Sequence, residues 1–83
     1  GTNNVALGNN ALESNTSGGS NTGLGRYALY QNTTASYNTS IGNNSLYTNT
    51  TGASNVAVGH AALMLNTTGA DNVQIQLHLI TLL

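Results

Sequence analysis

The segment Asn55-Val-Ala-Val-Gly-His-Ala-Ala-Leu-Met-Leu-Asn-Thr-Thr-Gly-Ala-Asp71 decides the fold, because the chain contains four versions of it in tandem. The preceding segment, Asn38-Thr-Ser-Ile-Gly-Asn-Asn-Ser-Leu-Tyr-Thr-Asn-Thr-Thr-Gly-Ala-Ser54, aligns with it without a gap. Glycines and leucines recur every 17 residues, at Gly8, Gly25, Gly42 and Gly59 and at Leu12, Leu29, Leu46 and Leu63. A short fixed period is typical of a repeat array in which each unit stacks on the next.

The tandem units divide the 83-residue chain into two parts. A four-repeat solenoid is predicted over residues 1–72, with units at 4–20, 21–37, 38–54 and 55–71. Residues 73–83 are expected to form a degenerate fifth repeat, because Gln76 stands where the repeat has glycine. Terminal repeats commonly depart from the consensus. The chain starts inside a repeat, at Gly1, and we expect a processed chain or a fragment.

Each unit combines a strand signal, an ambiguous segment and a turn signal. The phrase Asn-[Thr/Val]-x-[Leu/Ile/Val]-Gly is alternating and rich in β-branched residues, which is typical of a short strand closed by glycine. The next six residues, such as 26–31, fit either a second strand or a single helical turn. Asn, Thr and Gly then supply turn chemistry. The sequence therefore predicts a mainly all-β, β-solenoid-like array with a possible single helical turn in each repeat.

Coil stacking would place residues 17 apart above one another, at the inter-strand spacing of about 4.8 Å. We expect two aliphatic ladders in the core, the first made by Leu7, Leu24, Ile41, Val58 and Ile75, and the second by Leu12, Leu29, Leu46, Leu63 and Ile80. Asparagine forms two further columns, at positions 4, 21, 38, 55 and 72 and at positions 15, 32, 49 and 66. Neutral columns avoid the repulsion of stacked like charges, roughly 1 kcal/mol per pair even in water.

The C-terminal segment from Val73 to Leu79 alternates apolar and polar residues, which favours a β-strand over a helical neck built on Ile75, Leu79 and Leu82. Such an apolar strand invites pairing with an open sheet edge. We expect it to close its own solenoid or to join a neighbouring copy, through Val73, Ile75, Leu77, Leu79 and Leu82.

Composition argues against most chemical functions. Only Arg26, Glu13 and Asp71 carry formal charge, 4% of the chain, against about 25% in a typical soluble domain. One arginine cannot neutralise several phosphates, so nucleic acid is not an expected partner. His60 and His78 lack neighbours with metal-ligand spacing, and no cysteine is present. We expect no enzyme activity, no catalytic site, no metal and no cofactor, and no run of about 20 apolar residues spans a membrane.

The phrase Asn-[Thr/Val]-Ala-[Val/Ile]-Gly-x-x-Ala-Leu-x-x-Asn-Thr-Thr-Gly, clearest at 38–52 and 55–69, resembles the repeats of phage tail-fibre-like and bacterial surface fibre proteins. More loosely, it is similar to the head repeats of trimeric autotransporter adhesins. The resemblance covers residues 4–71. It implies an extracellular, cell-surface or virion fibre, commonly of several intertwined chains.

Three functions remain open from the sequence. The first is a structural subunit of a self-assembling extracellular filament or fibre, with the chain itself as partner, because a nearly uncharged surface favours association. The second is an adhesin or receptor-binding module that contacts a surface glycan through Tyr30, Tyr37, Tyr47 and Arg26. The third is an ice-binding solenoid that presents the column of Thr16, Thr33, Thr50 and Thr67.

Overall fold

The computed structural model describes residues 1–76, which form a β-solenoid of about four turns with about 17 residues per turn. Each turn contributes one three-residue strand. The strands are β1 (Val5–Leu7), β2 (Thr22–Leu24), β3 (Thr39–Ile41), β4 (Val56–Val58) and β5 (Val73–Ile75). They form one parallel sheet in the order β1-β2-β3-β4-β5, and the solenoid prediction is confirmed.

Each strand pairs with the next at an offset equal to the repeat period of 17 residues. Val5 pairs with Thr22, Thr22 with Thr39, and the offset of 17 continues to the pair of Val56 with Val73. Parallel strands need a long return connection, and here one 17-residue coil supplies it without a helix. β5 continues the register although the fifth repeat has lost its glycine, since Gln76 still donates its backbone N–H to Val58, at 2.8 Å. Residues 77–79 of the expected C-terminal strand lie outside the described residues.

The segment between the glycine and the asparagine of each repeat is a run of turns, neither a second strand nor a helical turn. In the second coil, positive φ angles occur at Gly25 (123°), Tyr27 (61°) and Leu29 (54°). Left-handed residues at alternate positions interrupt both right-handed helix and extended strand, so neither of the two expected conformations forms. Gly25 also permits close coil stacking, because a Cβ there would lie 2.8 Å from the carbonyl carbon of Gly42.

The first aliphatic ladder lies on the outer surface, so its expected place in the core is wrong. Leu7 is 70% exposed, Ile75 54% and Ile41 38%, while Leu24 and Val58 are half-buried. A three-residue strand turns its first and third side chains to one side and only its middle side chain to the other. In the three inner strands that middle residue is small and buried, as Gly23, Ser40 and Ala57. The interior of the coil is narrow, and the larger residues face outward.

The second ladder occupies the interior opposite the sheet. Leu29 and Leu46 are fully buried, Leu12 is 8% exposed, and Leu63 packs half-buried against them. Ile80 lies outside the described residues. Each of the four leucines has a positive φ, between 49° and 55°. The left-handed conformation costs an L-residue about 1–2 kcal/mol, and burying a leucine side chain returns about 1.5–3 kcal/mol.

Candidate functional site

Two columns of asparagine side chains run along the solenoid axis beside the leucine ladder. In the first, the Oδ1 atom of each residue accepts the backbone N–H of the next, at 2.9 Å for each of the pairs 4/21, 21/38, 38/55 and 55/72. The Nδ2 atom donates to the turn carbonyl of its own coil, as from Asn38 to Gly52 at 2.9 Å. Asn21, Asn38 and Asn55 are fully buried. Each side chain therefore ties one coil to the next and closes its own turn.

The second column joins side chain to side chain. The Nδ2 atoms of Asn32, Asn49 and Asn66 donate to the Oδ1 atoms of Asn15, Asn32 and Asn49, at 2.9, 3.1 and 2.9 Å. Each Nδ2 also donates to the turn carbonyl three residues on, for example from Asn49 to Gly52 at 2.9 Å. Buried amides are stable when both ends are bonded, and these are. The sequence indicated both columns, but the burial of their members follows only from the narrow interior.

Both outer edges of the sheet are ends of the same hydrogen-bond ladder. Within residues 1–76, β1 pairs only with β2 and β5 only with β4. The first residues of β1 to β4 each donate a backbone N–H to the asparagine carbonyl of the next coil, at 2.8–2.9 Å. The Val73 N–H, the Ile75 carbonyl and the Asn72 Oδ1 have no such partner among the described residues. This C-terminal edge therefore presents the groups that pair with an N-terminal coil.

The residues expected to join copies are placed only in part. Val73 and Ile75 lie in β5 and are 70% and 54% exposed. Leu77, Leu79 and Leu82 lie outside the described residues. Beside β5, the last coil has an open depression of about 400 Å³ lined by Ala61, Leu63, Met64, Leu65, Asn66 and Gln74. The C-terminal end of the described solenoid thus combines unpaired backbone groups with apolar surface.

Three tyrosines gather on the turn segments of the second and third coils. The rings of Tyr30 and Tyr47 stack with centroids 5.1 Å apart, and the ring of Tyr27 meets them edge-on at 5.1 and 5.7 Å. The Arg26 guanidinium lies 4.8 Å from the Tyr27 ring centre. Tyr37 is 68% exposed and belongs to another repeat position, shared with Ser20 and Ser54. The sequence grouped Tyr37 with this set and missed Tyr27, because only the turn geometry brings positions 27 and 30 together.

The negative charge of Glu13 raises the pKa of Tyr30 above its ordinary value, and a hydrogen bond to the same carboxylate adds to the shift. Glu13 precedes Tyr30 by 17 residues and is therefore its neighbour in the column. Two of the three charged residues, Glu13 and Arg26, thus lie at the tyrosine cluster. Within the cluster the three rings contact each other, and the carboxylate of Glu13 acts on the phenol of Tyr30.

The threonine column expected to bind ice is engaged with the protein backbone. The hydroxyl of Thr16 donates to the Thr33 carbonyl at 3.0 Å, and those of Thr33 and Thr50 donate to the next threonine carbonyl at 3.3 Å each. These hydroxyls can accept a hydrogen bond from outside, but their protons point along the solenoid.

Among residues 1–76, no group of three His, Asp or Glu side chains is placed to hold a metal ion, and no helix is long and apolar enough to cross a membrane. His60 is exposed at a repeat position occupied elsewhere by Asn9, Arg26 and Asn43. Comparison with protein-family models, curated proteins and solved structures found no match to this chain. The class of protein that the structure defines is a β-solenoid repeat protein.

Proposed function

We propose that this chain is the structural subunit of a self-assembling extracellular filament or fibre. Copies stack end to end, with β5 of one copy on β1 of the next. The contact between copies then has the same form as the contact between two coils of one chain. No ligand, cofactor or chemical step is part of the role.

The observation that carries the proposal is the match between the two open edges. In the pattern of the inner coils, the Val73 N–H would donate to the Asn4 carbonyl of a second copy, as Val56 donates to Asn72. The Asn4 N–H of the second copy would donate to the Asn72 Oδ1, as Asn72 itself donates to Asn55 at 2.9 Å. The Gly8 N–H of the second copy would reach the Ile75 carbonyl, as Gly25 reaches Leu7 at 2.7 Å. For three hydrogen bonds of the internal ladder, the donor therefore lies at one edge of the sheet and the matching acceptor at the other.

Composition supports the same reading. Unpaired strand edges attract further strands unless charges, proline or a covering element blunt them. Neither Val5–Leu7 nor Val73–Ile75 contains a charge, and the chain has no proline. Its formal net charge is -1, too small to keep copies apart. The extracellular location rests on the resemblance of the repeats to fibre proteins and is part of the proposal.

Val73→Pro tests the edge contact, because proline removes the backbone N–H of residue 73, which has no partner among the described residues. The hydrogen bonds within residues 1–76 are all kept. The N–H groups at this repeat position point to the following coil, so the loss falls on the contact between copies. Negative-stain electron microscopy of the 83-residue chain should show filaments for the wild type and short species for Val73→Pro. Each copy should add about 24 Å to the length, five rows at about 4.8 Å.

Val73→Thr is the matched control, since threonine occupies this position in β2 and β3 and keeps the N–H. It should polymerise like the wild type, and circular dichroism should show the same sheet content in all three proteins. Long filaments of Val73→Pro, or a wild type that stays monomeric at every concentration, would refute the end-to-end contact.

A glycan-binding module is a second proposal, favoured by the grouping of Tyr27, Tyr30 and Tyr47 with Arg26 and Glu13. It is weaker than the first, because the stacked rings cover each other's faces, which are the surfaces a sugar would use. Binding on a glycan array by a chain that forms no filaments would favour it. The threonine column gives ice binding no comparable support, since its protons are already donated.

A further inference from the structure

The outward face of the sheet is a regular, uncharged surface. Two columns of side chains cover it, made by the first and third residues of every strand: Val5, Thr22, Thr39, Val56 and Val73, and Leu7, Leu24, Ile41, Val58 and Ile75. All ten are aliphatic or threonine. The members in the end strands are the most exposed, at 70% for Leu7 and Val73, while those in the three inner strands are half-buried except Ile41, at 38%. No charged residue interrupts either column, so two copies of this face would not repel each other.

The area of the face decides what it can bind. Five strands span about 19 Å along the axis, and two side-chain columns are about 11 Å wide, which gives roughly 200 Å². A stable interface between two proteins needs roughly 800 Å² from each partner. One copy of the chain therefore cannot hold a partner by this face, but a stack of about four copies presents a continuous strip of the required size.

We propose that this face is a lateral interface, on which a second stack of the same chain packs face to face. The inference rests on the proposed end-to-end assembly, which makes the strip continuous. Side chains on each face repeat at the strand spacing, about 4.8 Å, and two sheets pack when the side chains of one fit between those of the other. A second copy has the same spacing, so the fit persists along the whole strip.

The alternative occupants meet this condition less well. A globular protein without a 4.8 Å repeat would match the rows over a few residues only. A lipid surface needs no registry, but the face is only about 11 Å wide, with two threonines in one column. Registry and the absence of charge therefore favour a second copy.

Ile41→Lys and Thr51→Lys form a matched pair that tests the lateral interface. Both add one lysine to the third coil at an exposed position. Residue 41 lies on the outward face of β3, whereas residue 51 lies in the turn segment of the coil, in a column of Ser and Thr that carries no charge. Ile41→Thr keeps a β-branched residue without a charge and separates lost apolar contact from repulsion.

Cryo-electron microscopy of filaments should show wild-type and Thr51→Lys stacks paired side by side, with sheets about 10 Å apart at the contact. Ile41→Lys should give single stacks of unchanged axial repeat, and Ile41→Thr a smaller paired fraction than the wild type. Light scattering of the same samples should fall at least twofold for Ile41→Lys. Circular dichroism checks that each variant keeps the sheet.

The outcomes separate the two proposals. Wild-type filaments that stay single, or that pair equally well in Ile41→Lys, overturn the lateral interface and leave end-to-end assembly standing. Filaments that stay single but sediment with phosphatidylcholine vesicles, with vesicle binding lost in Ile41→Lys, overturn it in favour of a lipid surface. A wild type that forms no stacks overturns both proposals, because the face of a single copy, at roughly 200 Å², is too small to hold a partner.

Discussion

The two asparagine columns should respond differently to paired substitutions, because they are bonded differently. Asn32 and Asn49 are linked directly, with the Asn49 Nδ2 atom 3.1 Å from the Asn32 Oδ1 atom. Asn38 and Asn55 are linked only through a backbone, since the Asn38 Oδ1 atom accepts the Asn55 N–H at 2.9 Å. Replacing the Asn55 side chain leaves that N–H in place. A double-mutant cycle can therefore distinguish two columns that look equivalent in the sequence.

The expected loss of stability depends on which hydrogen-bond partners each substitution leaves unpaired. Asn38→Ala removes the acceptor of a buried N–H, and an unsatisfied buried group costs about 1–3 kcal/mol. The Gly52 carbonyl loses little, because it still accepts from Asn49 at 2.9 Å. With lost packing, we expect Asn38→Ala to lower the free energy of unfolding by about 3 kcal/mol, and Asn32→Ala and Asn49→Ala by about 2–3 kcal/mol each. A chain of this size has about 4–12 kcal/mol in all.

The coupling energies are the sharper quantities. For Asn32→Ala with Asn49→Ala we expect an interaction energy of about 1 kcal/mol, because the shared hydrogen bond is lost only once. For Asn38→Ala with Asn55→Ala we expect less than about 0.5 kcal/mol. Urea unfolding followed by far-UV circular dichroism measures all of these. It should be done on a Val73→Pro background, so that end-to-end contacts do not contribute.

Asn43→Ala is the control for both cycles, since residue 43 is exposed in the same coil as Asn38 and Asn49. It should change the free energy of unfolding by no more than about 0.5 kcal/mol. The claim that buried amides join the coils would be refuted by equal coupling energies in the two pairs. It would also be refuted by an Asn38→Ala protein that is as stable as the wild type.

Two further outcomes are expected from single residues. Tyr37→Gly should stabilise the chain by about 1 kcal/mol, because Tyr37 has a φ of 63° and exposes 68% of its surface. The control Thr34→Gly, at an exposed residue without a positive φ, should destabilise the chain by about 0.5–1 kcal/mol. Thermal unfolding measures both changes in stability, and a change of the same sign in the two variants would contradict the reasoning. Glu13→Gln should lower the pKa of Tyr30 towards its ordinary value, as measured by NMR titration. Because the folded-state pKa of Tyr30 is raised, its contribution to stability is present below about pH 10 and is lost as the pH rises through the folded-state pKa. If Tyr30 titrates in the Glu13→Gln protein as it does in the wild type, Glu13 is not the cause of the raised pKa.

The period of the sequence was sufficient to predict the solenoid and its register, because stacking translates a 17-residue repeat directly into strand pairing. It did not reveal which face of each strand is inside. Leu24 and Thr22 share one side and Gly23 takes the other, so alternation defines two faces without assigning them. The signal that assigns them is residue size, since the residue opposite the leucine ladder in the three inner strands is Gly23, Ser40 or Ala57.

The turn segments were beyond prediction for a different reason. A glycine in the sequence indicates a positive φ, whereas a leucine does not. Leu29 and Leu46 adopt a positive φ because their side chains then fill the interior. Tertiary packing there overrides the local preference of the residue. The same geometry made Tyr27 a neighbour of Tyr30 and Tyr47, a contact that sequence spacing alone does not specify.

The placement of the few charges fits an assembly longer than one chain. Glu13, Arg26 and Asp71 occupy three different repeat positions, so no charge lies directly above another of its kind within the chain. In an end-to-end stack, each charge recurs once per copy, about 24 Å further along the axis. That distance exceeds the Debye length of about 8 Å at physiological ionic strength, and the repulsion between copies is screened. The same three charges repeated in every coil would lie about 4.8 Å apart and would oppose both the fold and the filament. A nearly neutral sequence with unrepeated charges is therefore what a stack of identical coils requires, whether the coils belong to one copy or to many.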